Sequence, residues 1–147
     1  MTRVTGTRQR GFTLIEIMVV VVIIGLLTAV VTTQVFSRVD EARITKARQD
    51  ISALTLALQM YRLDNSRYPT TEQGLAALMV QPTTPPIPNS WRPGGYLSRP
   101  SKDPWKVDYI YVSPGENGEF DLYSLGADGQ EGGEGTDADI TSWDLDQ

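Results

Sequence analysis

The sequence predicts an α+β fold in which one long helix packs on a small antiparallel sheet. Three observations lead there. No proline occurs from Phe12 to Tyr68. Within that stretch Ala47, Ile51, Leu54, Leu58 and Tyr61 are spaced by 4, 3, 4 and 3, which places them on one helical face. Beyond it, Tyr109–Val112 and Phe120–Tyr123 have strand composition and flank an Asn-Gly turn signal.

The chain of 147 residues has room for one membrane segment and one modest domain. It has no cysteine, so neither a disulfide nor a thiolate metal site is possible. It has no histidine either, which removes the usual general base and the commonest zinc ligand. Chemistry, if any, would rest on carboxylates. All 13 Lys and Arg residues lie at or before Lys106, and 11 of the 18 acids lie from Val107 onward. Such an acidic end repels nucleic acid.

The helix begins in an apolar run. Arg3, Arg8 and Arg10 form a short basic flank of the kind kept on the cytoplasmic side. From Phe12 to Val31, only Thr13, Glu16, Gly25 and Thr28 are not strongly apolar or alanine-like. As a helix this run spans ~30 Å, about one hydrocarbon core. A secretory signal peptide is excluded by the length of the run and by the place of Gly11, before it rather than after it. Glu16 is costly there. Two readings stand side by side: a carboxylate that reaches the headgroups from one turn inside the run, or one that awaits a positive partner. A free amine on Phe12, created by a cut after Gly11, would lie one turn away.

The pattern becomes amphipathic near Gln34, with Arg43, Lys46, Gln49, Asp50 and Gln59 on the polar side. One helix is expected from Phe12 to Leu63, ~75–80 Å long at 1.5 Å per residue, ended by Asp64 and Asn65. Residues 12–34 form its membrane or assembly half. Residues 35–147 form a globular domain, with a loop region at 65–106 and the sheet and acidic loop at 107–147.

In the loop region, Thr70 and Gln73 have capping-box spacing, so Thr71–Met79 is expected as a short helix. QPTTPPIPNSWRPGGY, residues 81–96, holds five of the nine prolines and is expected as an irregular loop pinned by Trp91, Tyr96 and Trp105. The hairpin of Tyr109–Val112 and Phe120–Tyr123 is expected to gain a third short strand and to cover the amphipathic helix face. Residues 124–140 then carry five glycines and five acids. They read either as a solvated tail or as a cation loop. Ile140, Trp143 and Leu145 suggest that the chain returns to the core. Calcium suits a glycine-rich loop of carboxylates and carbonyls, although the EF-hand spacing is absent.

RGFTLIE before a long apolar helix resembles the leader of type IV pilins and pseudopilins. LDNSRYPTTEQGL, DPW and SLGADG sharpen the likeness to the major pseudopilins of type II secretion systems, over Arg10 to Trp143. The absence of cysteine favours these over pilins closed by a disulfide. The resemblance implies a type IV pilin-like fold with a calcium loop at its carboxy-terminal end. It implies removal of residues 1–11 by a prepilin peptidase that cuts between Gly11 and Phe12, and N-methylation of Phe12. Phe12 and Glu16 would dock subunits. Calcium would be held by Asp128, Asp137 and Asp139, with the carbonyls of Leu125 and Gln130; Glu134 is a further candidate. The implied partners are copies of the chain, minor pseudopilins, the inner-membrane assembly platform and, before assembly, membrane lipid. The implied place is the bacterial inner membrane, crossed once, with the carboxy-terminal domain in the periplasm.

The leading expectation is thus a structural subunit of a periplasmic fibre that exports folded proteins. A type IV pilus subunit or another pilin-like part is the alternative. A membrane-anchored carboxylate hydrolase needs two acids about 5–9.5 Å apart in a cleft, and the clustered acids here lie in a short self-contained loop. Minor tip subunits often lack the docking acid that Glu16 supplies.

Overall fold

The computed structural model describes residues 11–99 and 102–145; for 29–37 it describes the backbone alone. The chain divides into two units, Met1–Arg38 and Val39–Gln147. Helix α1, Leu14–Asn65, belongs to both.

In the first unit, the large apolar side chains from Leu14 to Leu27 are 49–79% exposed, so nothing among the described residues covers them. Apolar surface of this extent marks a contact with lipid or protein. Among the described residues no helix is long and apolar enough to cross a membrane. The described side chains of the run stop at Thr28, short of the Val31 at which its apolar sequence ends.

In the second unit the expected stripe is the core. Ala47, Ile51, Leu58 and Tyr61 are 0% exposed and Leu54 1%. Ala57, Ala77, Leu78, Tyr109, Tyr111, Leu122 and Ile140 complete the cluster. The helix ends where Ser66 takes a left-handed backbone, φ 59°, and its N–H donates to the Arg62 carbonyl at 2.7 Å. That is a C-terminal cap of the αL type. Asn65 then holds the loop region: its Nδ2 donates to the Tyr61 carbonyl and the Tyr96 hydroxyl, and its Oδ1 accepts from Ser90 N–H.

The capping box at Thr70 forms in both directions. Thr70 N–H donates to Gln73 Oε1, and Gln73 N–H donates to Thr70 Oγ1, each at 3.2 Å. The expected helix over Thr71–Met79 does not follow as such. Turns run to Gly74, whose φ of 58° interrupts the helical path, and only Leu75–Leu78 form a 3-10 helix. The long loop is pinned as its aromatics predict. Trp91 Nε1 donates to the Ala77 carbonyl at 2.9 Å, and Tyr96 stacks on Tyr61 with ring centroids 5.3 Å apart. Trp105 is half-buried, and its Nε1 has no partner.

The sheet has three strands in the order β1 (Ile110–Val112), β2 (Asp121–Ser124), β3 (Ile140–Thr141), both pairings antiparallel. The β1–β2 connection is longer than a two-residue hairpin turn. It wraps around the Asp121 carboxylate, which accepts from the N–H groups of Glu116 and Asn117 and from Asn117 Nδ2. Tyr111, on the buried side of β1, donates its hydroxyl to the Pro69 carbonyl at 2.8 Å, and burial pushes that hydroxyl's pKa up to about 12.

Before β1, Lys106 adopts φ 73° in a turn where its N–H donates to the Asp103 carbonyl. The left-handed region costs a residue with a Cβ roughly 1–2 kcal/mol. Lys106→Gly removes that cost and adds unfolded-state entropy, so a net gain of about 0.5–1 kcal/mol is expected. A shifted urea midpoint at unchanged slope would show it; a loss of stability would place the lysine side chain, not the backbone, in control of the turn.

Candidate functional site

Two places carry the residues singled out by sequence: the start of α1 and the acidic loop after β2.

Residues 11–13 have no regular structure, and α1 begins at Leu14. The bond between Gly11 and Phe12 therefore lies outside the helix, with Phe12 83% exposed. Glu16 turns back on the helix end. Its Oε2 accepts from Thr13 N–H and from Thr13 Oγ1, both at 3.0 Å, while Glu16 N–H donates to Thr13 Oγ1 at 3.3 Å. This is a reciprocal capping box at a helix N-terminus, where a carboxylate also meets the positive end of the helix dipole. The signal for it, Thr-x-x-Glu at residues 13–16, stands in the sequence beside the place of Glu16 in the apolar run. In the single chain, then, Glu16 is engaged by its own backbone rather than stranded. Gly11, Phe12 and Glu16 line a shared open surface with Thr13.

The acidic loop leaves β2 at Ser124 and re-enters the sheet at Ile140. It is closed by backbone bonds: Ala127 N–H to the Thr136 carbonyl at 3.0 Å, and Asp139 N–H to the Gly132 carbonyl at 3.2 Å. Gly133, at φ 81°, is needed for the closure; a Cβ there would lie 2.4 Å from the Asp137 carbonyl oxygen. A short 3-10 turn, Gly135–Asp137, completes the return. The loop is therefore a folded part of the unit and not a tail.

Of the five expected ligand residues, Asp128 turns its Oδ1 to Gln130 N–H at 3.0 Å, and Asp139 turns its Oδ2 to Gly132 N–H at 2.9 Å. Among the described residues no three acidic side chains converge as a metal cluster. The carboxylates of Asp128, Asp137 and Asp139 are thus brought into one loop without being gathered on one point, because backbone N–H groups hold two of them. One oxygen is left over: Asp139 Oδ1 is buried and has no hydrogen-bond partner. Asp139 also lines an acidic cavity of about 360 Å³ with Glu116, Asp121, Tyr123, Glu131 and Trp143. Burial first, and then the charges of Glu131 and Asp139, raise the Tyr123 phenol above its ordinary pKa.

A third cluster, around Asp103, supports the start of the loop. Asp103 is 4% exposed. Its Oδ1 accepts from Trp105 N–H at 3.0 Å and Val107 N–H at 2.8 Å, and its Oδ2 accepts from Ser124 Oγ at 2.7 Å. Ser124 Oγ in turn accepts from Gly126 N–H at 3.4 Å. One carboxylate so ties the turn before β1 to the first residues of the acidic loop. Asp before Pro in DPW signals a turn; nothing local signals Ser124.

An exposed helix start with a glycine–phenylalanine junction, an apolar helix stretch that nothing among the described residues covers, and a small sheet on the far half of that helix define a pilin-like assembly subunit. Residues 6–32 match the family described as prokaryotic N-terminal methylation motif, and residues 34–143 match type II secretion system (T2SS), protein G. The chain belongs to the type II secretion system protein G family. It is 58% identical to the type II secretion system core protein G of Pseudomonas aeruginosa over 93% of this chain and 96% of that one. The Vibrio cholerae protein of the same name is 55% identical, with 94% of each chain covered. A crystal structure of the major pseudopilin from the type 2 secretion system of enterohaemorrhagic Escherichia coli superposes with a TM-score of 0.65 at 44% identity, over 74% of this chain and 92% of that one. The fold is accordingly the pilin-like α+β fold that the sequence predicts, and the chain is a structural pseudopilus subunit of the type II secretion system, not an enzyme.

Proposed function

We propose that the chain polymerises with copies of itself, after a prepilin peptidase cuts between Gly11 and Phe12 and Phe12 is N-methylated. The fibre grows from an inner-membrane platform into the periplasm, is joined by minor pseudopilins, and helps move folded proteins across the outer membrane. Before assembly, residues 12–34 lie in the inner membrane as a single span with the carboxy-terminal domain in the periplasm. The sequence run Phe12–Val31 supports that placement. The single observation that carries the assembly reading is the exposed apolar surface of α1 from Leu14 to Leu27, which has no cover among the described residues.

In this reading Glu16 exchanges its Thr13 bonds for the processed amine of Phe12, on its own or a neighbouring copy. The exchange offsets the cost of burying a carboxylate, which is otherwise several kcal/mol even after relaxation. Glu16→Ala should therefore be cut and inserted but fail to form fibres, read by cross-linking between copies and by export of a secreted reporter. Fibres in native amounts from Glu16→Ala would overturn the docking role. Mass spectrometry of the mature amino terminus checks the cut and the methyl group separately.

The acidic loop is proposed to hold calcium. Asp139 Oδ1, buried and unpartnered, supports this, as does the chemistry of a glycine-rich loop rich in carboxylates and carbonyls. Asp128, Asp137 and Asp139 would supply carboxylates, and Leu125 and Gln130 carbonyls. Calcium would neutralise crowded acids and close the domain where related pilins use a disulfide. Chelation should lower the melting temperature; at a calcium concentration about a hundred times its dissociation constant, binding stabilises by ~2.7 kcal/mol. An unchanged melting curve in chelator would remove calcium from the account.

A further inference from the structure

The β1–β2 connection contains Asn117-Gly118, a sequence whose backbone chemistry is its own hazard. The Gly118 nitrogen, once it loses its proton to water or hydroxide, can attack the Asn117 carboxamide carbon. A carbon–nitrogen bond forms, the bond to Nδ2 breaks, and Nδ2 leaves as ammonia with a proton from solvent. Water then opens the cyclic imide at either carbonyl, giving aspartate or isoaspartate. Nothing is oxidised or reduced; an amide is exchanged for an acid at the expense of one water.

The local structure bears on this in two opposed ways. Asn117 and Gly118 are exposed, so water reaches them, and a Cβ on Gly118 would meet only the Phe120 carbonyl oxygen, at 3.7 Å. Nothing packs against the attacking residue. The carboxamide itself, however, is held. Asp121, 5% exposed, accepts from Asn117 Nδ2 at 3.1 Å and from Asn117 N–H at 3.1 and 3.3 Å, while also accepting Glu116 N–H at 2.8 Å. The same carboxylate so gathers the residue's side-chain amide and its own backbone N–H. A turn of the carboxamide toward the Gly118 nitrogen competes with its bond to Asp121.

We propose that Asn117 is a deamidation site held shut by Asp121, and that its conversion leaves the connection open. The acid formed at residue 117 can no longer donate to Asp121. It sets a second carboxylate where a donor stood, next to a cavity already lined by Glu116, Glu131 and Asp139. The connection then stays open, and subunits that have reacted differ from fresh ones in charge and in the hold of β1 on β2. This inference stands on the turn alone and does not rest on the assembly or calcium readings.

The test uses the full-length protein, solubilised in detergent and held at mildly alkaline pH. Peptide mapping follows the amide-to-acid mass change at Asn117, and isoaspartate is scored by enzymatic methylation. Folded native protein should react slowly, and the same chain in urea fast. Asp121→Ala, folded, should react about tenfold faster than native or more, the population change expected when a charge-assisted hydrogen bond is lost. Should Asp121→Ala fail to fold, Asp121→Asn, with the same shape and no charge, is read in its place and should also be faster than native. Equal rates for native and urea-unfolded chains, or for native and the Asp121 variant, would overturn the clamp. Asn117→Asp should melt below the native protein; a melting temperature equal to native would overturn the claim that conversion opens the connection.

Discussion

Asp103→Ala is expected to destabilise the globular unit by about 2–4 kcal/mol, since the buried Ser124 hydroxyl left without its partner costs about 1–3 kcal/mol and the two less buried N–H groups cost less. Three donors lose their acceptor at once: the N–H groups of Trp105 and Val107, and the Ser124 hydroxyl. Ser124 is 1% exposed, so its hydroxyl is left away from bulk water. Asp103→Asn separates charge from geometry. Its Oδ1 can still accept from both amides, and its Nδ2 can donate to a hydroxyl that is free to rotate. The isostere should cost roughly 1 kcal/mol, the net worth of an ordinary hydrogen bond. Urea unfolding followed by tryptophan fluorescence measures both, with Trp105 inside the affected turn. If alanine costs no more than asparagine, the carboxylate is a bystander and the turn holds itself.

This cluster also shows where the sequence runs out. The helix was legible because its evidence is periodic: five core positions repeat every three or four residues, and each lies fully or almost fully out of solvent. Its ends fell within two residues of the expected ones, at Leu14 and Asn65. The capping box at Thr70 was legible for the same reason, since all its atoms lie within one turn. What followed the box was not, because Gly74 takes a left-handed φ that no spacing rule announces. Asp103 and Asp121 are harder still. As letters they are two acids among 18. Their roles are set by Ser124 and by the path of the β1–β2 connection, which exist only once the sheet has formed. At the candidate site the same limit applies. The sequence places Asp128, Asp137 and Asp139 in one loop, and the fold keeps them there, but two of these carboxylates are turned by backbone N–H groups whose positions depend on glycines at positive φ. At the helix start, Glu16 reads as costly in an apolar run, and its bonds to Thr13 show how the single chain satisfies it.

Leu58→Ala is expected to cost about 2–5 kcal/mol, the range for a buried leucine whose surroundings close only partly on the cavity. Leu58 is 0% exposed at the centre of the stripe that faces the sheet. Leu56, two residues earlier and thus about 200° around the helix, is 57% exposed. Leu56→Ala should change stability by no more than about 0.5 kcal/mol. The two substitutions delete the same atoms from the same helix, so propensity cancels between them and only the face differs. Against a total stability of about 5–15 kcal/mol for a domain of ordinary size, the first can leave a substantial unfolded fraction, and the second cannot. Urea midpoints of both variants, at equal slope, decide the matter. Equal losses would mean that α1 has no privileged face in the isolated subunit. A large loss at Leu58 alone would show that the sheet and α1 are one cooperative body, in which the far face of the helix is left free.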